Sequence, residues 1–195
     1  RKRQERKNFA RAQIFVDALS ASGKGFGVYG YKGTYNSGSS VPTLFKDANS
    51  GVGANTHVLF DTSGTPPTSS LDHPGSWYYT TDTTKLVKWE KNEKYTFFAY
   101  APYMASDGDT PGITSVKTDD TAGDPTIGYT VATDPANSVD LLWGVRSDDG
   151  TNNTSSANNG KPWKDVKLGD THSAVLFTFY HALCAIGLHA QVMVD

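Results

Sequence analysis

Five histidines, one cysteine, seventeen aspartates and three glutamates are the groups from which this 195-residue chain could build a reactive site. Their spacing excludes most familiar sites. A zinc or iron centre needs imidazoles, thiolates or carboxylates that converge, commonly within one short motif. His57, His73, His172, His181 and His189 form no His-Glu-x-x-His and no His-x-His pair. Asp107-Gly108-Asp109 and Asp148-Asp149-Gly150 are acidic turns, but neither has the twelve-residue spacing and closing Glu of a calcium loop. Cys184 sits among Ala182, Leu183, Ala185 and Ile186, an apolar setting that disfavours the thiolate and suits a small buried hydrophobe. No Gly-x-Ser-x-Gly elbow is present. Glu90 and Glu93 share one charged stretch, Lys88–Lys94, and suggest no glycosidase pair. Gly23-Lys24-Gly25-Phe26-Gly27 is glycine-rich yet leads into a strand pattern, without the helix N-terminus that holds a phosphate. The expectation is a non-enzyme with no catalytic residue, no metal and no cofactor.

The aromatic side chains are the remaining handle. Trp77, Tyr78, Trp89 and Trp163 are candidates for stacking on a sugar ring, provided they are exposed and coplanar. The competing expectation is that Trp77 and Tyr79 face the core, as large aromatics in a sandwich usually do. Asp140 lies between Val139 and Leu141, so if buried it needs a hydrogen-bond partner and acts as a structural pin. His181 follows Phe179 by two residues and is expected as a satisfied core histidine.

The elements that would position these groups are strands. Asp over Glu by 17 to 3 favours turns and caps over helix interiors. Alternating apolar residues mark nine short runs: Ala12–Leu19, Phe26–Tyr31, His57–Phe60, Trp77–Thr80, Tyr95–Ala101, Ile127–Ala132, Val139–Val145, Ala174–Tyr180 and Ile186–Val194. The segment His181–Ala185 could make one helical turn. Nine strands with turn-rich spacing predict an all-β, two-layer antiparallel β-sandwich with long loops over 32–56, 61–76, 104–125 and 146–163. Hydrophobic residues are 37% and charged residues 19% of the chain, which excludes a disordered or supercharged polymer. No run approaches the length of a membrane-spanning helix. Residues 1–11 carry six basic side chains against Glu5, whereas the rest carries twelve basic and nineteen acidic ones. An acidic body makes a nucleic-acid partner unexpected, and the basic residues 1–11 read as a mobile terminal segment.

The order of the motifs adds a resemblance. FGVYGY (26–31), Trp77-x-Tyr79, KWEKNEKYTFFAYAPY (88–103), VDLLWG (139–144) and VLFTFYHALCAIGL (175–188) occur in the succession of the fimbrillin-like pilins and pilus-tip proteins of Bacteroidales, the FimA and Mfa type. The likeness spans roughly residues 10–195. It implies a Greek-key, transthyretin-like sandwich over 12–195 as the N-terminal of two domains, the second being absent from this chain. It also implies an outer-membrane lipoprotein of the cell surface that joins other pilus subunits by β-strand addition, contacts host or bacterial surfaces and serves adhesion. Arg11, before Ala12, matches the position at which such a protein would be processed, with Arg6 and Lys7 as close competitors. Asp140, Trp143 and His181 fall in its structural motifs, and Asp82-Thr83-Thr84 and Asp120-Thr121-Ala122 in its glycosylation pattern. A surface carbohydrate-binding sandwich is the alternative, and a sandwich hydrolase would require a carboxylate pair or a histidine and nucleophile in one cleft.

Overall fold

The structure, a computed structural model, describes residues 19–21, 23–36, 38, 44, 55–61, 77–80, 82–105, 112–117, 123–133, 139–146, 161–168 and 175–182. Its centre is strand β4, Tyr95–Ala101. Tyr95, Phe97, Ala99 and Ala101 point to one side, Thr96, Phe98 and Tyr100 to the other, and nearly all are buried. A strand buried on both faces needs apolar residues at almost every position, which YTFFAYA supplies.

Strand β1, Phe26–Lys32, lies antiparallel along one edge of β4, from Gly27 opposite Tyr100 to Lys32 opposite Tyr95. Beyond β1 come β2, Asn55–Phe60, and the two-residue β3, Trp77–Tyr78. The spatial order β3-β2-β1-β4 is a Greek key. The other edge of β4 is shared by two strands. Its last residues pair with β7, Leu142–Arg146, and Tyr95 and Phe97 pair with β8, Trp163–Val166. A hydrogen bond from Arg146 N–H to the Lys161 carbonyl (2.8 Å) joins the chain leaving β7 to the chain entering β8. Strand β9, Phe177–His181, follows on the far side of β7. A separate antiparallel pair, β5 (Ile113–Val116) and β6 (Ile127–Tyr129), forms the second layer. The fold is therefore the all-β antiparallel sandwich that the sequence predicts.

Two strands were not visible in the sequence pattern. β5 falls inside the stretch expected as a loop over 104–125, and β8 begins at the last residue of the loop expected over 146–163; each is only four residues long. Other boundaries shift. The strand expected over Ile127–Ala132 stops at Tyr129, and β7 starts at Leu142, so Asp140 precedes the strand. At Leu19 the backbone is helical, not extended. The rest of the Ala12–Leu19 run, the Ile186–Val194 run and Arg11 lie outside the described residues. His181 ends β9, and Ala182 N–H continues its pairing by donating to the Leu141 carbonyl (2.8 Å). Residues 183–185 of the helical turn expected over His181–Ala185 lie outside the described residues; a 3₁₀ turn is described at Thr83–Lys85.

Each face of the main sheet has its own core. The first contains Phe26, Val28, Phe97, Ala99, Leu142 and Trp163. The second joins Tyr29, Tyr31 and Tyr100 to Met104, Ile113 and Val116. Its anchor is Tyr100, whose ring lies over Gly27. A Cβ at Gly27 would fall 2.1 Å from Tyr100 Cε1, so only glycine admits the ring. The Tyr100 hydroxyl donates to Asn55 Oδ1 (2.9 Å) and accepts from Met104 N–H (3.3 Å), while Asn55 Nδ2 donates to the Met104 carbonyl (2.7 Å). All three residues are buried, and each satisfies polar atoms of the others.

Burial pushes the Tyr100 phenol up to about 12 and also raises those of Tyr29 and Tyr35, the last helped by its hydrogen bond to Asp124. The folded state favours the neutral phenol. Its contribution is therefore intact below the unfolded value near 10 and is lost as pH rises beyond it. Tyr100→Phe removes the hydroxyl bonded to Asn55 Oδ1 and Met104 N–H and should cost about 1–3 kcal/mol, read from urea unfolding. The same variant should shed part of the alkaline destabilisation, read from melting temperatures across that pH range.

Candidate functional site

The described residues offer no triad of His, Cys, Asp or Glu able to hold a metal ion. What they offer is an apolar surface. On the first face, Phe26 of β1 packs edge-on against Trp77 (5.0 Å between ring centroids) and Phe179 (5.2 Å), with Phe177 at 6.2 Å. Trp77 also meets Phe60 (5.1 Å). Phe26 reaches Phe179 across two intervening strands because the residues between them are small. Ala99 and Ala101 come from β4 and Gly144 from β7. A Cβ on Gly144 would lie 2.7 Å from Ala99 Cβ and 3.3 Å from both phenyl rings. The alternation of small and large residues thus makes a trough crossed by aromatic rings.

This row is incompletely covered. Phe60, Phe177 and Phe179 are half-buried, and Trp77 is 39% exposed. The groups packed over the first core are Leu19, Leu44, Tyr79, Val87 and Trp89, which come from turns and connecting segments. The second core, in contrast, is roofed by the β5–β6 hairpin. Among the described residues, one face carries a strand layer and the other carries irregular chain.

The four stacking candidates occupy different environments. Trp77 stands at the edge of the aromatic row. Tyr78, its neighbour in a strand, points to the opposite side and is half-buried. Trp89 is half-buried against Tyr95 (4.7 Å) and Phe97 (6.1 Å). Trp163 is 2% exposed, donates Nε1–H to the Leu176 carbonyl (2.7 Å) and lies under the Arg146 guanidinium (4.4 Å). It is a core residue. Trp143 and Tyr180, paired across β7 and β9 with centroids 6.4 Å apart, are instead exposed at 41% and 43%. Nothing in the alternation of VDLLWGV distinguishes Trp143 from its buried neighbours.

Asp140 and His181 come together, which the sequence does not show. Asp140 Oδ2 lies 2.6 Å from His181 Nδ1, with both side chains substantially exposed. The histidine is thus a surface partner of Asp140 and not a core group, because β9 ends at that residue. Of the two Asp-Thr patterns, Asp82 is exposed and accepts from the Thr84 N–H (2.9 Å) and hydroxyl (2.6 Å). These bonds hold the Asp82 carboxyl below its ordinary range. Asp120-Thr121-Ala122 lies outside the described residues.

Burial separates the tryptophans energetically. Trp163→Ala should cost about 3–5 kcal/mol in chemical denaturation and Trp143→Ala no more than about 1 kcal/mol. Asp140→Ala should change stability by less than about 1 kcal/mol, since an exposed pair is screened by solvent.

The fold and this surface can be set against known proteins. A family model described as fimbrillin-like matches residues 13–192. No curated protein matches the chain. A solved structure similar to it is a fimbrial protein from Bacteroides vulgatus, with 25% identity and a TM-score of 0.54. The match covers 85% of this chain and 41% of that protein, so this chain corresponds to less than half of its length.

Proposed function

This chain belongs to the fimbrillin-like family, and from that membership we propose that it is a structural subunit of a bacterial surface pilus. The family match over nearly the whole chain is the observation that carries the reading, and the similarity to a fimbrial protein supports it. On this reading the protein resides at the cell surface, anchored in the outer membrane as a lipoprotein, and its partners are other pilus subunits. Its work is mechanical and adhesive, and no chemistry is required of it.

The proposed joint is β-strand addition. In that mode main-chain hydrogen bonds supply affinity and alternate side chains enter pockets on the acceptor. The half-covered row Phe26, Trp77, Phe177 and Phe179 supports it, since such a surface gains from an apolar strand laid across it. Arg11 is the proposed processing site, whose cleavage would free the following segment. The stretch 12–195 is proposed as the N-terminal domain of a longer protein, with residues 1–11 as a mobile leader.

The test is made in the cells that produce the protein. Antibody against the chain should decorate surface filaments in immunogold microscopy, and labelling confined to the cell envelope would overturn the pilus reading. Cells carrying Arg11→Ala should lose the mature terminus at Ala12 and the detergent-resistant subunit ladder together. A ladder that persists in that variant would remove Arg11 processing. An alternating apolar peptide that fails to bind the purified chain or protect it from unfolding would remove strand addition at this face.

A further inference from the structure

Two exposed aromatic rings stand side by side on the outer part of the main sheet. Trp143 of β7 and Tyr180 of β9 are direct partners in the register. Their centroids are 6.4 Å apart and their planes are inclined by 45°. Trp143 is also opposite Tyr100, so the pair belongs to the second face of the sheet. The second core contains Tyr100 but neither of these two rings. Strand alternation puts Leu141, Trp143 and Val145 on this face of β7, and Thr178 and Tyr180 on this face of β9. Leu141 packs on the second core, and Val145 is fully buried, so the exposed part of β7 is bounded on both sides of Trp143. None of these side chains is charged. The guanidinium of Arg146 lies over Trp163, in the other core. β9 is the outermost described strand on this side of the sheet, and the pair stands at its margin.

We propose that Trp143 and Tyr180 form a stacking platform for a neutral saccharide, one ring under each of two consecutive pyranoses of a β-linked glycan. The size of the surface separates this ligand from a protein. A large aromatic side chain has about 150–250 Å² to bury, and less than half of each of these two is exposed. The pair therefore offers roughly 200 Å², against roughly 800 Å² per partner in a stable protein interface. Buried Val145 and half-buried Leu141 and Thr178 add little to it. A sugar needs only the two rings. The C–H face of a pyranose is apolar and weakly electropositive, and the face of an aromatic ring is the negative part of its quadrupole. The hydroxyls on the rim of the sugar can then meet the polar tips of the platform, the indole N–H as donor and the phenol as donor or acceptor. Successive pyranoses of a β-linked chain are rotated about the glycosidic bond, which suits two planes that are inclined and not coplanar. A face without a cation has no partner for an acidic sugar, so the ligand is neutral. The assignment does not rest on the pilus reading, since a filament subunit need not bind sugar and a sugar-binding chain need not form filaments.

Saturation-transfer NMR of the whole chain with cellotetraose and with β-galactotetraose tests it, with maltotetraose as the α-linked comparison. At least one β-linked sugar should receive saturation at its ring C–H protons and shift the Trp143 indole N–H resonance. Trp143→Ala and Tyr180→Ala should each weaken that binding about tenfold or more, as loss of one stacked ring implies. Tyr180→Phe keeps the ring and should stay within about threefold of the wild type. Val131→Ala, at an exposed apolar residue beyond β6, should leave binding unchanged. Absence of transfer to both β-linked sugars overturns the proposal, as does binding that survives both alanine variants. Equal loss in Tyr180→Phe and Tyr180→Ala overturns it too, because the ring would then not be what binds. Maltotetraose bound as tightly as the β-linked sugars rejects the linkage, and a wild-type dimer that Trp143→Ala dissolves marks the face as a protein interface instead. Should an alanine variant fail to fold, the wild-type Trp143 indole N–H decides: a resonance unmoved by saturating β-linked sugar rejects the platform.

Discussion

The tyrosine ring lying on a glycine is the contact on which the rest of this sandwich depends. Tyr100 can rest over Gly27 only if β1 and β4 meet in one register. A slip of one residue would exchange the two faces of β1, sending Phe26 and Val28 to the side now held by Tyr29 and Tyr31. The hydroxyl of the same tyrosine reaches Asn55 in β2 and the backbone of Met104. One side chain thus sets the alignment of three strands and ties the turn after β4 to them. The β5–β6 layer then packs on a face whose shape is already determined.

Much of this was legible in the sequence, and for identifiable reasons. β1 and β4 were readable because they are central and buried on both sides, so FGVYGY and YTFFAYA carry a strong pattern. β5 and β8 were not, because four residues such as Ile113–Val116 or Trp163–Val166 cannot establish a period and owe their form to pairing with distant chain. β8 even carries a residue with positive φ, Asp165 at 54°, where its register against β4 shifts. An aspartate adopts that conformation more readily than most residues, but nothing in the local sequence requires it here. Its carboxylate instead accepts the Tyr35 N–H (2.7 Å), a tertiary bond that stabilises the irregularity.

The candidate surface was harder to read than the fold. Stacking residues were identifiable by type, but exposure is a property of what lies above a face. Trp163 vanished into the core beneath Arg146, and Trp143 emerged exposed beside Tyr180. The Asp140–His181 pair was invisible because forty-one positions separate its members and only the β7–β9 pairing brings them together. Among the described residues the sheet is roofed by strands on one side and by connecting chain on the other.

The bond between Arg146 and Lys161 has an evolutionary corollary. β7 and β8 lie end to end along one edge of β4, and the chain between them leaves and returns through a neck closed at its base. Lengthening a connection through such a neck costs little, about 0.6 kcal/mol for each doubling of its length. Insertions between these two strands therefore need not disturb any register in the sheet. In this chain of the fimbrillin-like family, that neck is a place where sequence can diversify while the scaffold stays constant.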